Sequence, residues 1–239
     1  EYNDDYNKDF RLVQLQDNQY DIQSYNGSEN MVDIEYSTIS ELVYVLGNSI
    51  TIIDSYTSEK IGDFTYKIGN EIPIKLKFNT VDNYLYILTD KRLIKFDTLV
   101  NQIIDFYNSS NDLIFFEFDN NGNIILSDIS NNIIKLSNIN LSILTSIILP
   151  EQIINIFNNP SRNKLYLLSN TSVYILDNNL TLLSYNTINN LINDISYEPI
   201  NDDIYIFGDS IYRIDNNNNI IDTTITITNY KDSIFNIID

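Results

Sequence analysis

The feature that most constrains this chain is a short apolar pattern that occurs five times at a nearly constant spacing. When the five copies are aligned, successive centres lie 42, 39, 41 and 39 residues apart. A period near 40 residues, with several short strands in each unit, is typical of a β-propeller. The repeat covers nearly all of the 239 residues, so the sequence predicts an all-β chain forming one domain over residues 1–239. The aligned centres are Tyr44, Tyr86, Ile125, Tyr166 and Tyr205.

Each unit divides into four strand-like segments. In the second unit, apolar and polar residues alternate over residues 74–78, which favours a strand with its period of two. Further strand-like segments follow at 84–88, 93–96 and 102–106, separated by turn-forming residues. Four short antiparallel strands make one propeller blade, and we therefore interpret each repeat as one blade.

The two ends of the chain complement each other in this pattern. Residues 11–15 match a second strand and residues 20–22 the third strand after it, whereas residues 233–238 match a first strand. Counting both ends gives six first strands and six second strands. This predicts a β-propeller of six four-stranded blades whose ring is closed by the two termini, a closure that protects exposed strand edges. The alternative is an open arc cut from a larger, for example seven-bladed, protein.

The central strand pair of each unit carries a family resemblance. It reads LVYVLGNSITIID at 42–54, KLYLLSNTSVYILD at 164–177 and DIYIFGDSIYRID at 203–215. Over residues 42–215 this pattern resembles the YVTN and NHL-like β-propeller repeats, and the resemblance implies a propeller fold and a binding role. The WD and kelch repeats do not fit, because the chain has no Trp, no His and only six Gly.

Composition argues against several classes of function. The chain has no Cys and no His, which removes disulfides, thiolate and imidazole metal ligands, and the usual nucleophiles and general bases of enzymes. Its formal net charge of −19 disfavours nucleic acid and anionic membranes as partners, since both attract clustered Lys and Arg. No apolar run approaches the roughly 18 residues of a membrane span. We therefore expect a non-enzymatic protein that has no cofactor and does not insert into a membrane.

Four carboxylates in the first strands are candidates for the lining of a central channel. Paired carboxylates can hydrolyse glycosides when suitably spaced, so the alternative function is a carbohydrate-active propeller hydrolase or lyase. The favoured interpretation is a polar lining of a hydrated channel, because Trp and His are absent and Arg is scarce. The four residues are Asp33, Glu35, Glu117 and Asp194.

One segment offers a candidate calcium site. Asp215, Asn217 and Asn219 place oxygen-bearing side chains at alternate positions, as calcium-binding loops do. The Gly and the bidentate Glu of such loops are missing, so the competing interpretation is a solvated turn in an Asn-rich chain. Calcium is the one cofactor for which the sequence offers candidate ligands.

Basic and aromatic residues supply the candidate binding surface. Half of the Lys and Arg residues lie between positions 60 and 95, where they could dock an acidic partner or serve as ordinary surface charge. Tyr at the repeat centres is expected in the core, whereas Tyr that follows a hairpin turn is expected at a binding face. The candidate binding residues are Lys75, Lys77, Lys91, Arg92, Tyr20, Tyr174 and Tyr212.

These observations favour a binding or assembly module of a secreted, cell-surface or virion structural protein, rather than a cytoplasmic one. Its partner would be a protein, a glycan or neighbouring copies of the chain. Abundant Asn, Ile, Tyr and Phe indicate an AT-rich genome. The chain does not begin with Met, which favours a processed product or a domain excised from a longer protein.

Overall fold

The computed structural model describes residues 10–16, 19–25, 31–188, 191–198, 202–215 and 217–226, with side chains for those between 31 and 221. All regular structure in these ranges is β-strand. They contain no helix, and so none that is long and apolar enough to cross a membrane. The chain divides into two compact units, Glu1–Asn108 and Ser109–Asp239.

The first unit contains a two-stranded hairpin and two four-stranded antiparallel sheets. The hairpin pairs β1 (Phe10–Gln16) with β2 (Gln19–Tyr25). In both four-stranded sheets the strands lie side by side in chain order. Sheet 1 consists of β3 (Asp33–Ser37), β4 (Leu42–Leu46), β5 (Ile50–Asp54) and β6 (Lys60–Phe64), and sheet 2 of β7 (Pro73–Asn79), β8 (Tyr84–Thr89), β9 (Arg92–Asp97) and β10 (Gln102–Asn108).

The described part of the second unit contains three more sheets with the same strand order. Sheet 3 consists of β11 (Leu113–Phe118), β12 (Ile124–Asp128), β13 (Asn132–Leu136) and β14 (Ile143–Ile148). Sheet 4 consists of β15 (Asn155–Asn159), β16 (Lys164–Leu168), β17 (Ser172–Asp177) and β18 (Leu182–Thr187). Sheet 5 consists of β19 (Ile192–Glu198), β20 (Asp203–Gly208), β21 (Ser210–Ile214) and β22 (Ile220–Thr226).

The register of the sheets confirms the repeat alignment. Tyr44 lies opposite Ile52, Tyr86 opposite Lys95 and Tyr166 opposite Ile175, so each repeat centre pairs with the same position of its third strand. The second and third strands are largely buried, because they lie inside the sheet and both of their faces are packed. The fourth strand alternates between half-buried and exposed residues, as β10 does, and carries a bulge that interrupts an otherwise open edge.

Within each unit, consecutive sheets pack face to face. Sheets 1 and 2 share a core in which the ring of Phe96 contacts those of Tyr44 and Phe64, with centroids 6.2 and 4.8 Å apart. In the second unit, one core joins sheets 3 and 4 and another joins sheets 4 and 5. Each large apolar side chain buried in such a core contributes about 1.5–3 kcal/mol to stability. The first strands of consecutive sheets are neighbours in these contacts, as β3 and β7 are in the first unit.

The number of complete sheets differs from the expected six. The described residues form five four-stranded sheets, and the strands at 10–16 and 19–25 form a two-stranded sheet of their own. They match the second and third strands of a sixth blade, but the segment expected to supply its first strand, residues 233–238, lies outside the described residues. The described chain is therefore all-β with five complete repeats rather than six.

Candidate functional site

An open cleft of about 620 Å³ lies in the first unit, where three loops meet. Val32 borders it just before β3, and Asn48 borders it from the turn between β4 and β5. The rest of the lining is the connection from β6 to β7, which contributes Lys67 and residues 69–73. Loops thus form the cleft, and the two sheets beneath fix their positions.

A buried ion pair anchors the connecting loop below the cleft. Arg92 donates from Nε to Glu71 Oε1 at 2.7 Å and from Nη2 to Glu71 Oε2 at 3.0 Å. The two side chains are only 6% and 8% exposed, and Nη2 also donates to the carbonyl oxygen of Tyr66 at 3.0 Å. A bidentate, desolvated pair of this kind fixes geometry strongly, and breaking it would leave a buried charge. Arg92 was expected at a binding surface, and the structure corrects this, because Glu71 folds over it.

Two further contacts fix the ends of the same loop. Tyr66 donates its hydroxyl to the carbonyl oxygen of Gly47 at 2.6 Å. Ile72 donates its backbone N–H to Asp90 Oδ1 at 2.7 Å and accepts a backbone hydrogen bond from Asp90 at 2.9 Å. Between these anchors the chain turns through Gly69, whose φ of 68° is a conformation that glycine adopts without strain. The cleft is therefore a preformed feature of the first unit.

Lys67 places a positive charge at the wall of the cleft. Its Nζ donates to Asn48 Oδ1 at 2.6 Å, and no carboxylate of the described chain lies within ion-pair distance of it. Seven other cations of the described chain do pair with a carboxylate. They are Lys60, Lys91, Arg92, Lys95, Lys135, Arg162 and Arg213.

The remaining basic candidates do not line this cleft. Lys91 is exposed, and its Nζ lies 3.7 Å from Asp90 Oδ2. Lys75 and Lys77 lie on β7 in the positions that Asp33 and Glu35 occupy on β3. The basic candidates thus do not form one surface. Arg92 belongs to a buried ion pair, Lys91 lies on an exposed turn, and Lys75 and Lys77 lie on the first strand of sheet 2.

The carboxylates of β3 bond to the neighbouring first strand. Asp33 Oδ2 accepts the backbone N–H of Leu76 at 2.8 Å, and Glu35 accepts that of Phe78. These N–H groups belong to the edge of β7 that β8 leaves unpaired, so the carboxylates satisfy an open strand edge. Burial raises the pKa of Glu35 above its ordinary value, although the Phe78 hydrogen bond and the nearby Lys77 oppose the rise.

The two candidate carboxylates in the second unit also accept hydrogen bonds. Asp194 Oδ1 accepts the backbone N–H of Ile195 at 2.8 Å and the side-chain amide of Asn155 at 3.1 Å. Glu117 is buried, and its Oε1 accepts the backbone N–H of Phe118 at 2.8 Å. Asp33 and Glu35 are brought together on one strand, whereas Glu117 and Asp194 lie on β11 and β19. No group of three or more acidic residues within the described ranges is placed to hold a metal ion.

The candidate calcium loop forms a turn that recurs elsewhere in the chain. Asp215 Oδ1 accepts the backbone N–H groups of Asn217 and Asn219, both at 2.8 Å, and Oδ2 accepts the Asn219 amide at 3.2 Å. These hydrogen bonds, that from the Asn219 backbone foremost, lower the pKa of Asp215. Asp119 and Asp128 make the same three bonds to the residues two and four positions later. The Asp-x-Asn-x-Asn pattern at residues 215–219 therefore belongs to a hydrogen-bonded turn of a kind that recurs in this chain.

The expected division of the tyrosines is partly wrong. Tyr44, Tyr86 and Tyr166 are fully buried, as predicted for the repeat centres, and Tyr205 is half-buried. Tyr174 was expected at the surface but is only 2% exposed. Both faces of its sheet are covered, so a position close to a hairpin turn does not confer exposure.

Tyr174 also stacks on Tyr185 with ring centroids 5.6 Å apart. Burial raises its pKa to about 12, and the nearby carboxylate of Glu151 adds to the rise. Tyr212 is half-buried against the core between sheets 4 and 5. The side chain of Tyr20 lies outside the described residues.

Glu71 and Glu151, with their polar partners, were not singled out by the sequence reasoning. Glu151 accepts hydrogen bonds from the hydroxyls of Ser169, Ser172 and Thr171. Burial alone would raise the pKa of Glu151, but these bonds outweigh it and hold the pKa below its ordinary value. The sequence did contain a signal. Lys75 and Asn155 occupy the same position of the repeat, and a Glu stands four residues before each of them, namely Glu71 and Glu151.

Comparison with known proteins identifies similar folds but no family. No family model and no curated protein matches the sequence. The structure of dihydro-heme d1 dehydrogenase NirN, in complex with DHE, matches with a TM-score of 0.62 and 12% identity, over 73% of this chain and 41% of NirN. This chain therefore spans less than half the length of NirN. A functionally unknown protein from Desulfotomaculum acetoxidans matches with a TM-score of 0.70 and 12% identity, over 91% of this chain and 78% of that one.

At this identity the likeness concerns the fold alone. Together with the repeated four-stranded antiparallel sheets, it supports a β-propeller-like all-β fold.

Proposed function

We propose that this chain is a non-enzymatic binding or assembly module on a β-propeller frame. The observation that carries the proposal is the preformed cleft at Asn48, Lys67 and residues 69–73, anchored by the buried Arg92–Glu71 pair. A concave site that mixes apolar residues with a few polar groups is typical of ligand recognition. The chemistry expected of a hydrolytic site is much less developed, since each candidate carboxylate is hydrogen-bonded to backbone or amide groups.

The proposed partner is a protein or a glycan, or a neighbouring copy of the chain. Loops on a repeat frame can vary without disturbing the sheets, which suits recognition more than catalysis. No cofactor is needed for this role. The net charge of −19 disfavours nucleic acid and anionic membranes as partners. We place the module in a secreted, cell-surface or virion structural protein.

We also propose that the hairpin β1–β2 and the C-terminal segment complete a sixth sheet that closes the ring. Support comes from sheet 1, where Ile34 and Tyr36 of β3 are 46% and 44% exposed. The residue equivalent to Ile34 is Leu76 in sheet 2 and Phe116 in sheet 3, and both are almost fully buried. Because this apolar face is buried by a neighbouring sheet in the other repeats, we expect a neighbouring sheet to pack against it in sheet 1 as well.

A pair of matched variants tests the binding function. Asn70 is exposed in the cleft, so Asn70→Trp would fill it, and Ser130→Trp places the same side chain on an exposed hairpin of the second unit. We expect wild type and Ser130→Trp to retain the same partners on glycan arrays and in pull-downs, and Asn70→Trp to lose them. Equal binding by all three proteins would contradict the proposed cleft function.

Glu35 supports the second candidate function, a carbohydrate-active hydrolase or lyase. Its raised pKa and its position beside Asp33 resemble the environment of a general acid. Such an enzyme would lose activity as the pH rises through the pKa of Glu35, and Glu35→Gln would abolish turnover. On our main proposal, a panel of polysaccharides and peptides incubated with the wild-type protein, with and without calcium, yields no products.

A further inference from the structure

We infer that the cleft recognises a peptide segment in which a single carboxylate adjoins an apolar side chain, and that Lys67 binds the carboxylate. This inference rests on the proposed binding function and specifies its ligand. It joins three properties of the lining, namely a cation without a carboxylate partner, an apolar wall and two side-chain amides.

The charge at Lys67 carries the first step. The protein has 33 acidic and 14 basic residues, so a cation has many carboxylates with which to pair. Within the described ranges Lys67 bonds only the neutral amide of Asn48. An ammonium group held at a cleft wall by a neutral acceptor remains able to bind an anionic group of a ligand.

The apolar wall carries the second step. Val32 is 43% exposed and Ile72 is 62% exposed, and Pro73 continues the same surface. Together they form a surface on which an apolar side chain of a ligand can be buried. None of the eight described lining residues is aromatic, whereas sugar-binding sites usually stack the sugar ring on an aromatic side chain. The lining therefore favours a peptide over a glycan.

The side-chain amides carry the third step. Asn48 and Asn70 line the cleft on either side of Lys67 in sequence, and each amide carries both donors and an acceptor. Such groups match the alternating N–H and C=O groups of an extended peptide backbone. The lining can thus bind a backbone, an apolar side chain and a carboxylate at once.

The charge of the whole protein limits the ligand to few carboxylates. A net charge of −19 repels a polyacidic segment. At about 0.15 M salt this repulsion is screened beyond roughly 8 Å, whereas a direct contact with Lys67 is not. A peptide with one carboxylate next to an apolar residue avoids most of this repulsion and still makes the direct contact with Lys67.

A displayed library of random short peptides is the probe. We expect the wild-type chain, at physiological salt, to enrich peptides that carry one Asp or Glu beside Leu, Ile, Val or Phe. For a synthetic peptide of the enriched sequence, Lys67→Gln should weaken binding about tenfold, since a charge-assisted hydrogen bond is lost. Lys60→Gln is the matched control, because Lys60 is exposed and pairs with Asp63 away from the cleft, and it should bind as wild type does.

A peptide with Gln in place of its acidic residue completes a double-mutant cycle. If Lys67 binds the carboxylate, the two changes are not additive, and the Gln peptide binds wild type and Lys67→Gln equally. Enrichment without any acidic preference, or an additive cycle, would overturn the ligand class but leave the binding function intact. If the protein binds a glycan array selectively and Asn70→Trp abolishes that binding, the peptide ligand class is likewise overturned and the binding function stands. If neither library nor array gives binding, both proposals fail.

Discussion

Tyr174 and Tyr212 are each the third residue of the third strand in their sheet, yet their surroundings differ. Tyr174 is enclosed by the core between sheets 3 and 4 and stacks on Tyr185. Tyr212 contacts the core between sheets 4 and 5 but remains half-buried. Repeat position predicts the backbone place of a residue, whereas its exposure depends on the side chains that neighbouring sheets supply.

Truncating these two tyrosines should therefore have unequal effects. Tyr174→Ala should lower the free energy of unfolding by about 3–5 kcal/mol, because it removes a fully buried aromatic ring. Tyr212→Ala should cost clearly less. Urea unfolding of both variants measures the difference, and Tyr174→Phe, which keeps the ring, serves as control. Equal midpoints for the two alanine variants would contradict the burial described for Tyr174.

The residues of the cleft show where sequence reasoning reached its limit. The basic cluster at 60–95 contains Lys67, which lines the cleft, but the residues selected as binding candidates were Lys75, Lys77, Lys91 and Arg92. Arg92 forms a buried ion pair with Glu71, whereas Lys67 lines the cleft and bonds only the amide of Asn48 within the described ranges. Partner choice among many carboxylates depends on loop geometry, which a repeat pattern does not encode.

At the scale of elements, the strand assignments were close to the observed bounds. The strand predicted at 74–78 is observed as Pro73–Asn79, and those predicted at 84–88 and 102–106 as Tyr84–Thr89 and Gln102–Asn108. Ile153 is fully buried, but it lies in the loop before β15, which begins only at Asn155. An apolar residue that packs into the core from a loop continues the alternation and mimics a longer strand.

The Asp-centred turns allow a prediction about elements. Asp119 accepts three hydrogen bonds within its turn and pairs with Lys135, whose Nζ lies 2.6 Å from Oδ2, and the side chain of Asp119 is fully buried. Asp119→Ala would leave the buried ammonium of Lys135 without its carboxylate, with the carbonyl oxygen of Asn178 as its remaining acceptor, so it should lower stability by about 3–5 kcal/mol. Asp215→Ala removes the same turn bonds from an exposed site and should cost far less.

Denaturant titrations of the two variants distinguish these effects. The double variant Asp119→Ala with Lys135→Met should recover part of the loss, because it removes the unpaired charge. If Asp119→Ala and Asp215→Ala were equally mild, the buried ion pair would have no structural role.

At the scale of the whole molecule, the exposed face of sheet 1 is the feature that most calls for an explanation. Ile34 and Tyr36 are exposed there, and Val43, Val45 and Ile53 form a small separate core beside them on the same face of the sheet. The repeat pattern predicted six blades, and the five sheets that are complete in the described residues are each built from contacts close in sequence. A sixth sheet would join residues more than 200 positions apart, and a local pattern can indicate such pairing but cannot establish it.

Removing residues 233–239 tests this sixth sheet. We expect the deletion to lower the melting temperature by about 5–10 °C, because it would expose a strand edge and uncover an apolar face. Removing residues 1–5, which match no strand pattern, is the control and should have little effect. An unchanged melting temperature after the C-terminal deletion would contradict the closed ring.

The side-by-side order of the strands within each four-stranded sheet has a consequence for folding kinetics. Since every strand pairs with its neighbours in sequence, sheet 3 needs only residues 113–148 to form. Contact order within the sheets is therefore low, and each sheet can assemble during synthesis as soon as its last strand has left the ribosome. Closure of the proposed sixth sheet by the two termini would have to wait for the entire chain, and we expect that step to be the slowest phase of refolding.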